Sequence, residues 1–225
     1  MDMQKAERLF ASADMYQVLG YFAITPTMAV TDGLYGGDLT RDIEAIVGEL
    51  GLDGTRQILE EFKTCIEGVV AEEDADGFFH RVRKDYTHLY TNPQFSVSTL
   101  FQSRFVGNEE GAKGLQIVLA DTIRELKSLY AAKGFEPSFT PALRADHMAV
   151  QLAFMQALRT NEAIALRDGN EIAGEIGETA QEFLQNYLGL WAADFFREMA
   201  AEAEEDVYRF VGKLGEAFIE SELAQ

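Results

Sequence analysis

The chain has 225 residues, a length that fits one domain or two small ones packed together. With 47% hydrophobic and 25% charged residues, its composition excludes a disordered or fibrous protein. Its 38 Asp and Glu residues outnumber its 19 Lys and Arg residues, and the resulting net charge of −19 repels phosphate. We therefore expect no binding to nucleic acid, and a cationic partner instead.

The beginning of the chain and its single cysteine indicate a cytoplasmic protein. Cys65 excludes an internal disulfide, and its place on an apolar stripe favours a buried thiol. Residues 1–5 lack the cationic-then-apolar order of a secretory signal. The longest apolar stretch, residues 18–30, is interrupted by Pro26 and is too short to span a bilayer, so we expect no stable membrane insertion.

Apolar residues recur at steps of three and four along the first ninety residues, which predicts amphipathic helices. The first three stripes contain Leu9, Ala13 and Tyr16, then Ile43, Ile46, Val47 and Leu50, then Ile58, Phe62, Cys65, Ile66 and Val69. Asp74 is predicted to cap the next helix. Pro93 is predicted to end it, because proline has no amide hydrogen.

Residues 91–111 are predicted to be the longest irregular connection, since they contain several helix breakers. Gly134 is predicted to close the helix that follows, and Thr140 with Pro141 to begin the next one. Helical stripes then continue to the C-terminus, and no two-residue alternation indicates a strand. The sequence predicts an all-α fold, a single domain over residues 1–225 with about eight to ten helices, with the 91–111 loop separating two subregions.

No catalytic or cofactor-binding motif is found. The glycine-rich stretch 107–114 has neither the glycine spacing nor the final Ser or Thr of a phosphate-binding loop. The chain has three histidines but no Glu-x-x-His pair of the kind that di-iron bundles use, and no Gly-x-Ser-x-Gly nucleophile motif. We expect no bound metal and no cofactor.

Two acidic stretches, 72–76 and 202–206, have two compatible interpretations. Runs of like charge usually form solvated helix ends and faces. They also produce an electrostatic field that favours a cationic partner.

Two other segments contain residues that suit either structure or binding. Tyr86–Tyr90, followed by Pro93, is typical of core aromatic residues at the end of a helix. Asp146 and His147 precede a helical stripe, where an acidic residue complements the positive end of the helix dipole. Taken alone, this pair is best interpreted as a structural hydrogen-bonding unit.

Read together, Tyr86–Pro93 and Asp146–Met155 resemble the TorD/DmsD/NarJ family of cytoplasmic chaperones for molybdenum redox enzymes. The resemblance covers roughly residues 77–222 and includes three further segments in the family's order: Phe101–Ser103, Tyr130–Phe135 and Phe183–Trp191. The sequence also departs from the family pattern. Gln102 and Gln151 stand where glutamate is usual, Tyr187 stands where histidine is common, and no proline comes just before Asp146.

The resemblance implies an all-α fold without catalysis. It also implies that the chain binds the twin-arginine signal peptide and the apo form of a precursor, the catalytic subunit of a molybdopterin oxidoreductase. Such binding would delay export until the cofactor is inserted. A carboxylate that binds a guanidinium through two hydrogen bonds suits an Arg-Arg peptide. The resemblance leaves open a homodimer and the identity of the client.

The resemblance assigns client binding to Tyr86, Leu89, Tyr90, Pro93, Gln102, Ser103, Asp146, His147 and Gln151. Asp146 would accept hydrogen bonds from the peptide's cationic or backbone donors, and His147 would bind at the mouth of a groove. The pair is therefore expected to be partly exposed. Tyr86, Leu89 and Tyr90 would form an apolar wall. Gln102 and Ser103 would hold the long loop, and Pro93 would fix its exit.

Two other functions stay open from the sequence alone. One is a helical adaptor or assembly factor that binds a folded redox-enzyme subunit without a signal peptide, for which Gln102 and Gln151 leave room. The other is a nucleotide-binding protein or an enzyme. Some members of the family have been linked to GTP, although no motif in this chain supports it.

Overall fold

A computed structural model describes residues 2–92, 98–107, 115–139 and 141–225. These residues contain eleven α-helices and no β-strand, which confirms the all-α prediction. The helices are α1 (Asp2–Phe22), α2 (Met28–Tyr35), α3 (Asp38–Leu50), α4 (Arg56–Glu72), α5 (Ala75–Tyr86), α6 (Gln102–Gly107), α7 (Leu115–Ala132), α8 (Met148–Arg167), α9 (Ile172–Asn186), α10 (Ala192–Glu202) and α11 (Asp206–Leu223). In the part of the chain that the structure describes, no helix is long and apolar enough to cross a membrane.

Local sequence signals explain several helix ends. The Asp74 side chain accepts a hydrogen bond of 2.9 Å from the backbone N–H of Gly77 and so caps α5, as predicted. Gly134 follows the end of α7 with a φ of 65°, a left-handed conformation that glycine adopts without steric cost. The predictions for Asp74 and Gly134 are thus confirmed.

Two predictions about helix boundaries are wrong. The helix expected to begin at Thr140 and Pro141 begins at Met148, because the side chain of His147 caps it there; Thr140 itself lies outside the described residues. The interval 91–111, predicted to be irregular, contains the short helix α6. The stop predicted at Pro93 also lies outside the described residues; before it, α5 continues as a π-helical turn, Thr87–Thr91.

The chain divides into two compact units, each built from two separate stretches of sequence. The first unit comprises Met1–Ala23 and Thr99–Trp191. In it α8 packs against both α1 and α9, and the largest buried side chains include Tyr16, Leu19, Phe154, Phe183 and Trp191. One boundary between the units, between Ser98 and Thr99, falls within residues 91–111, where the loop separating two subregions is predicted. The expectation of a single domain stays a prediction.

The second unit comprises Ile24–Ser98 and Ala192–Gln225. The ring of Phe62 in α4 stacks on that of Phe210 in α11, with 4.1 Å between centroids. Helices α10 and α11 pack closely because α11 has glycine, which has no side chain, at Gly212 and Gly215. A Cβ atom at Gly212 would lie 2.6 Å from the backbone nitrogen of Ala200 in α10.

We predict that Gly212→Ala lowers the free energy of unfolding by ~1–3 kcal/mol, because backbone atoms of α10 would have to move away. Urea denaturation measures this change. Gly68→Ala in α4 is the matched control, because a Cβ there meets nothing within 4 Å, and we expect it to stabilise the helix by ~0.5–1 kcal/mol. Equal effects of the two substitutions would contradict the close packing of α10 and α11.

Candidate functional site

The structure places the residues assigned to client binding in two sets. The first unit contains Gln102, Ser103, Asp146, His147 and Gln151, and the second unit contains Tyr86, Leu89 and Tyr90. Pro93 lies outside the described residues. The residues of the first set are linked by hydrogen bonds, and in the second set the rings of Tyr86 and Tyr90 are in contact.

The first set is organised by a short antiparallel pairing between the start of α6 and the start of α8. Phe101 and His147 form an isolated β-bridge. The backbone N–H of Gln102 donates to the carbonyl of Asp146 over 3.0 Å, and that of Met148 donates to the carbonyl of Leu100 over 2.8 Å. This pairing joins residues that are more than forty positions apart in the sequence.

The carboxylate of Asp146 lies at the centre of this set and is fully buried. One oxygen accepts from the Ser103 hydroxyl over 2.5 Å, and the Ser103 backbone N–H lies 3.4 Å away. Arg144 donates to both oxygens, from Nε over 2.9 Å and from Nη2 over 2.6 Å. The prediction that Asp146 and His147 are partly exposed is wrong. Only 0% and 3% of their surfaces are accessible, because the paired backbone segments cover them.

Arg144 completes the site, and no motif in the sequence predicts its role. Its Nη2 also donates to Ser103 Oγ over 2.8 Å, and its guanidinium lies 4.4 Å from the centroid of the Phe101 ring. The side chain remains 41% exposed. A second guanidinium, that of the exposed Arg104, lies 5.6 Å from the same ring. The available signal was an arginine two residues before Asp146.

His147 is the N-cap of α8. Its Nδ1 accepts a 3.2 Å hydrogen bond from the backbone N–H of Ala149, and its ring meets the Phe101 ring edge-on at 5.1 Å. The pKa of His147 is lowered to about 4, chiefly by burial; the negative charge of Asp146 opposes this shift and the positive charge of Arg144 adds to it. The imidazole is therefore neutral, with Nδ1 free of a proton.

We predict that His147 makes stability depend on pH. Because its folded-state pKa lies below its unfolded value, its contribution is full above pH 6.5 and is lost as the pH falls towards 4. His147→Asn retains a capping side chain without a titrating group. Between pH 7 and pH 5 the original chain should lose ~2 kcal/mol more unfolding free energy than the variant, measured by urea denaturation. If the unfolding free energies of the two proteins changed with pH in parallel, the lowered pKa of His147 would be contradicted.

A chain of buried amide hydrogen bonds occupies the same unit. Trp191 Nε1 donates to Gln151 Oε1 over 3.2 Å, and Gln151 Nε2 donates to Gln102 Oε1 over 2.6 Å. Gln102 Nε2 then donates to the backbone carbonyl of Tyr187 over 3.3 Å. The two glutamines that depart from the family pattern are therefore complementary, since each accepts one hydrogen bond and donates one.

We predict that Gln151→Glu lowers the free energy of unfolding at pH 7 by ~1–3 kcal/mol, because a carboxylate has no donor for Gln102 Oε1. Gln185→Glu on α9 is the matched control, since Gln185 is exposed, and it should have almost no effect. Thermal and urea denaturation measure both. If Gln151→Glu were as stable as the control, the amide chain would not contribute to the fold.

The second set of residues belongs to the core of its unit. Leu89 is fully buried, and its carbonyl accepts from the backbone N–H of Ser98 over 3.0 Å. The Tyr90 ring lies 5.4 Å from that of Tyr86 and 5.8 Å from that of Phe195. Burial raises the pKa of both tyrosines. The binding role assigned to these aromatic residues stays a prediction.

The two acidic stretches are joined within the second unit. Arg81 donates from Nε to Glu73 over 3.0 Å and from Nη1 to Glu205 over 2.5 Å. The buried carboxylate of Asp85 accepts from the backbone N–H groups of Glu204 and Glu205 over 3.1 and 2.9 Å, which holds the turn that precedes α11. Some of these acidic residues are therefore structural.

The described residues contain no group of three or more His, Cys, Asp or Glu side chains that could hold a metal ion. Cys65 is partly buried, and its thiol lies 3.2 Å from a carboxylate oxygen of Asp206. Burial, followed by this hydrogen bond, raises the pKa of Cys65 to about 11. Its thiol is therefore protonated at neutral pH and is a weak nucleophile.

A groove of about 370 Å³ adjoins the Asp146 site on the first unit. Its walls come from the end of α7 and from the irregular segment before α8. The apolar lining residues are Tyr130, Phe135, Pro137, Leu143 and Ala145, with Lys127 and Glu136 among the others. Leu143 and Ala145 flank Arg144 in the sequence, so the groove and the Asp146 site share one segment.

A comparison with models of protein families matches residues 52–197 to the family described as nitrate reductase delta subunit. The matched segment is more than half of the chain and includes every residue assigned to client binding. Comparisons with curated proteins and with solved structures give no match.

Proposed function

The chain belongs to the nitrate reductase delta subunit family of NarJ/TorD-type maturation chaperones, and from this premise we propose that it binds a twin-arginine signal peptide. Membership confirms the resemblance found in the sequence and makes the chain a molybdoenzyme maturation chaperone. We further propose that it acts in the cytoplasm on the precursor and apo form of a molybdopterin oxidoreductase catalytic subunit. Binding would delay export until cofactor insertion.

The observation that carries this proposal is the family match, and the charge of the chain supports it. A net charge of −19 attracts a basic peptide and accelerates its encounter with the protein. Attraction of this kind weakens with salt, because the screening length falls from ~10 Å at 0.1 M to ~3 Å at 1 M. The salt dependence therefore separates the electrostatic part of binding from the apolar part.

The groove beside Asp146 suits the apolar part of such a peptide. Tyr130 and Phe135 supply aromatic surface, and their rings meet at 5.3 Å in an edge-to-face arrangement. The hydroxyl of Tyr130 donates to the carbonyl of Ala145 over 3.0 Å, which fixes the wall of the groove. An apolar segment binds such a surface by burying its own side chains, with little dependence on salt.

The test is calorimetric titration with a synthetic twin-arginine signal peptide, beside a peptide in which both arginines are lysines. We predict binding of the arginine peptide, weaker binding of the lysine peptide, and partial loss of affinity between 0.1 M and 1 M salt. Leu143→Ser in the groove should reduce affinity about tenfold. Leu190→Ser, at an exposed leucine outside the groove lining, is the matched control and should leave affinity unchanged.

No binding of the arginine peptide would overturn the signal-peptide proposal, and capture of a folded redox subunit without such a peptide would favour an adaptor. Equal affinity of Leu143→Ser and Leu190→Ser for the arginine peptide would show that the groove does not bind it.

A further inference from the structure

We propose that Asp146, Ser103 and Phe101 form a binding site for an arginine of the client, and that Arg144 fills this site in the free protein. We call these residues the arginine slot. The inference rests on the proposed function for the identity of the ligand, whereas the slot itself rests on the contacts of Arg144.

The slot offers the chemical groups that a guanidinium uses. Both oxygens of the Asp146 carboxylate accept from Arg144, in the two-bond geometry that distinguishes arginine from lysine. The Ser103 hydroxyl donates to Asp146 and accepts from Arg144, so it links the two charges. The face of Phe101 lies 4.4 Å from the guanidinium carbon, a distance at which cation–π attraction contributes.

Arg144 is the element of this cluster that is placed to leave. Asp146 and Ser103 are buried, whereas the Arg144 side chain is 41% exposed. Arg144 lies in the irregular segment before α8, so rotation of its side chain breaks no helix. Its backbone carbonyl accepts from the N–H of His147 over 3.1 Å, which keeps the main chain in place while the side chain moves.

The burial of Asp146 determines what can replace Arg144. A buried carboxylate that loses its cation without a substitute is strongly unfavourable, so Arg144 leaves only as another cation enters. An incoming guanidinium restores both hydrogen bonds to Asp146 and the stacking on Phe101. The ammonium of a lysine forms neither the two parallel hydrogen bonds to Asp146 nor the planar stack on the Phe101 ring. The exchange thus selects arginine over lysine.

The exchange also reduces the apparent affinity of the client. The client's guanidinium must displace Arg144 from Asp146, and a displacement that costs about 1.4 kcal/mol weakens binding about tenfold. Removing the Arg144 side chain opens the slot permanently. The structure supplies a matched control in Arg104, which lies 5.6 Å from the same ring and makes no contact with Asp146 among the described residues.

The first part of the test uses a guanidinium without any peptide. Arg144→Ala should melt at a lower temperature than the original chain, because Asp146 loses its cation. Millimolar methylguanidinium should raise the melting temperature of this variant, whereas methylammonium should not. The original chain and Arg104→Ala should respond to neither compound. Absence of rescue by methylguanidinium would overturn the slot.

Arg144→Lys is the second variant, for use where the alanine variant does not fold. It retains one positive charge near Asp146 but cannot form both hydrogen bonds. Methylguanidinium should raise its melting temperature as well, and no increase would again overturn the slot.

The second part of the test titrates the same proteins with the twin-arginine peptide. We expect Arg144→Ala to bind about tenfold more tightly than the original chain and Arg104→Ala. Equal or weaker binding by Arg144→Ala would overturn the exchange and leave the proposed function standing. Rescue by methylguanidinium without any binding of the peptide would support the slot and overturn the twin-arginine function.

Discussion

The requirement that a buried carboxylate be neutralised determines how the loops of the first unit are arranged. Asp146 has no access to water, so its oxygens need donors from the protein. Ser103 and Arg144 supply them, which brings the start of α6 against the segment before α8. The backbone pairing of Phe101 with His147 follows from this contact, and it buries the imidazole that caps α8.

The features that the sequence predicted correctly depend on local interactions. Helical periodicity, the Asp74 cap and the Gly134 termination each depend on residues within four positions of one another. The sequence predicts the wrong start for α8 because Pro141 is a strong local signal. The actual cap, His147, is an uncommon capping residue whose position depends on a distant segment. Tertiary pairing overrode the local signal.

The candidate site was predicted only in part, for the same reason. Asp146 and His147 were identified, but their burial depends on α6, which is more than forty residues away. The interaction between Gln102 and Gln151 spans 49 positions, so the two substitutions looked like separate departures although they form one hydrogen-bonded pair. The sequence does not predict the role of Arg144, because rules for paired charges apply to helix spacings of three and four. Arg144 pairs with a residue two positions away, outside any helix.

The exchange of Arg144 for an arginine of the client on Asp146 is tested most directly by nuclear magnetic resonance of arginine side chains. With ¹⁵N-labelled arginine, the Nε–H of Arg144 should be protected from exchange with water in the free protein. On addition of unlabelled twin-arginine peptide this signal should lose its protection, because the client's guanidinium replaces it on Asp146. Continued protection of the Arg144 Nε–H in the peptide-saturated protein would contradict the account.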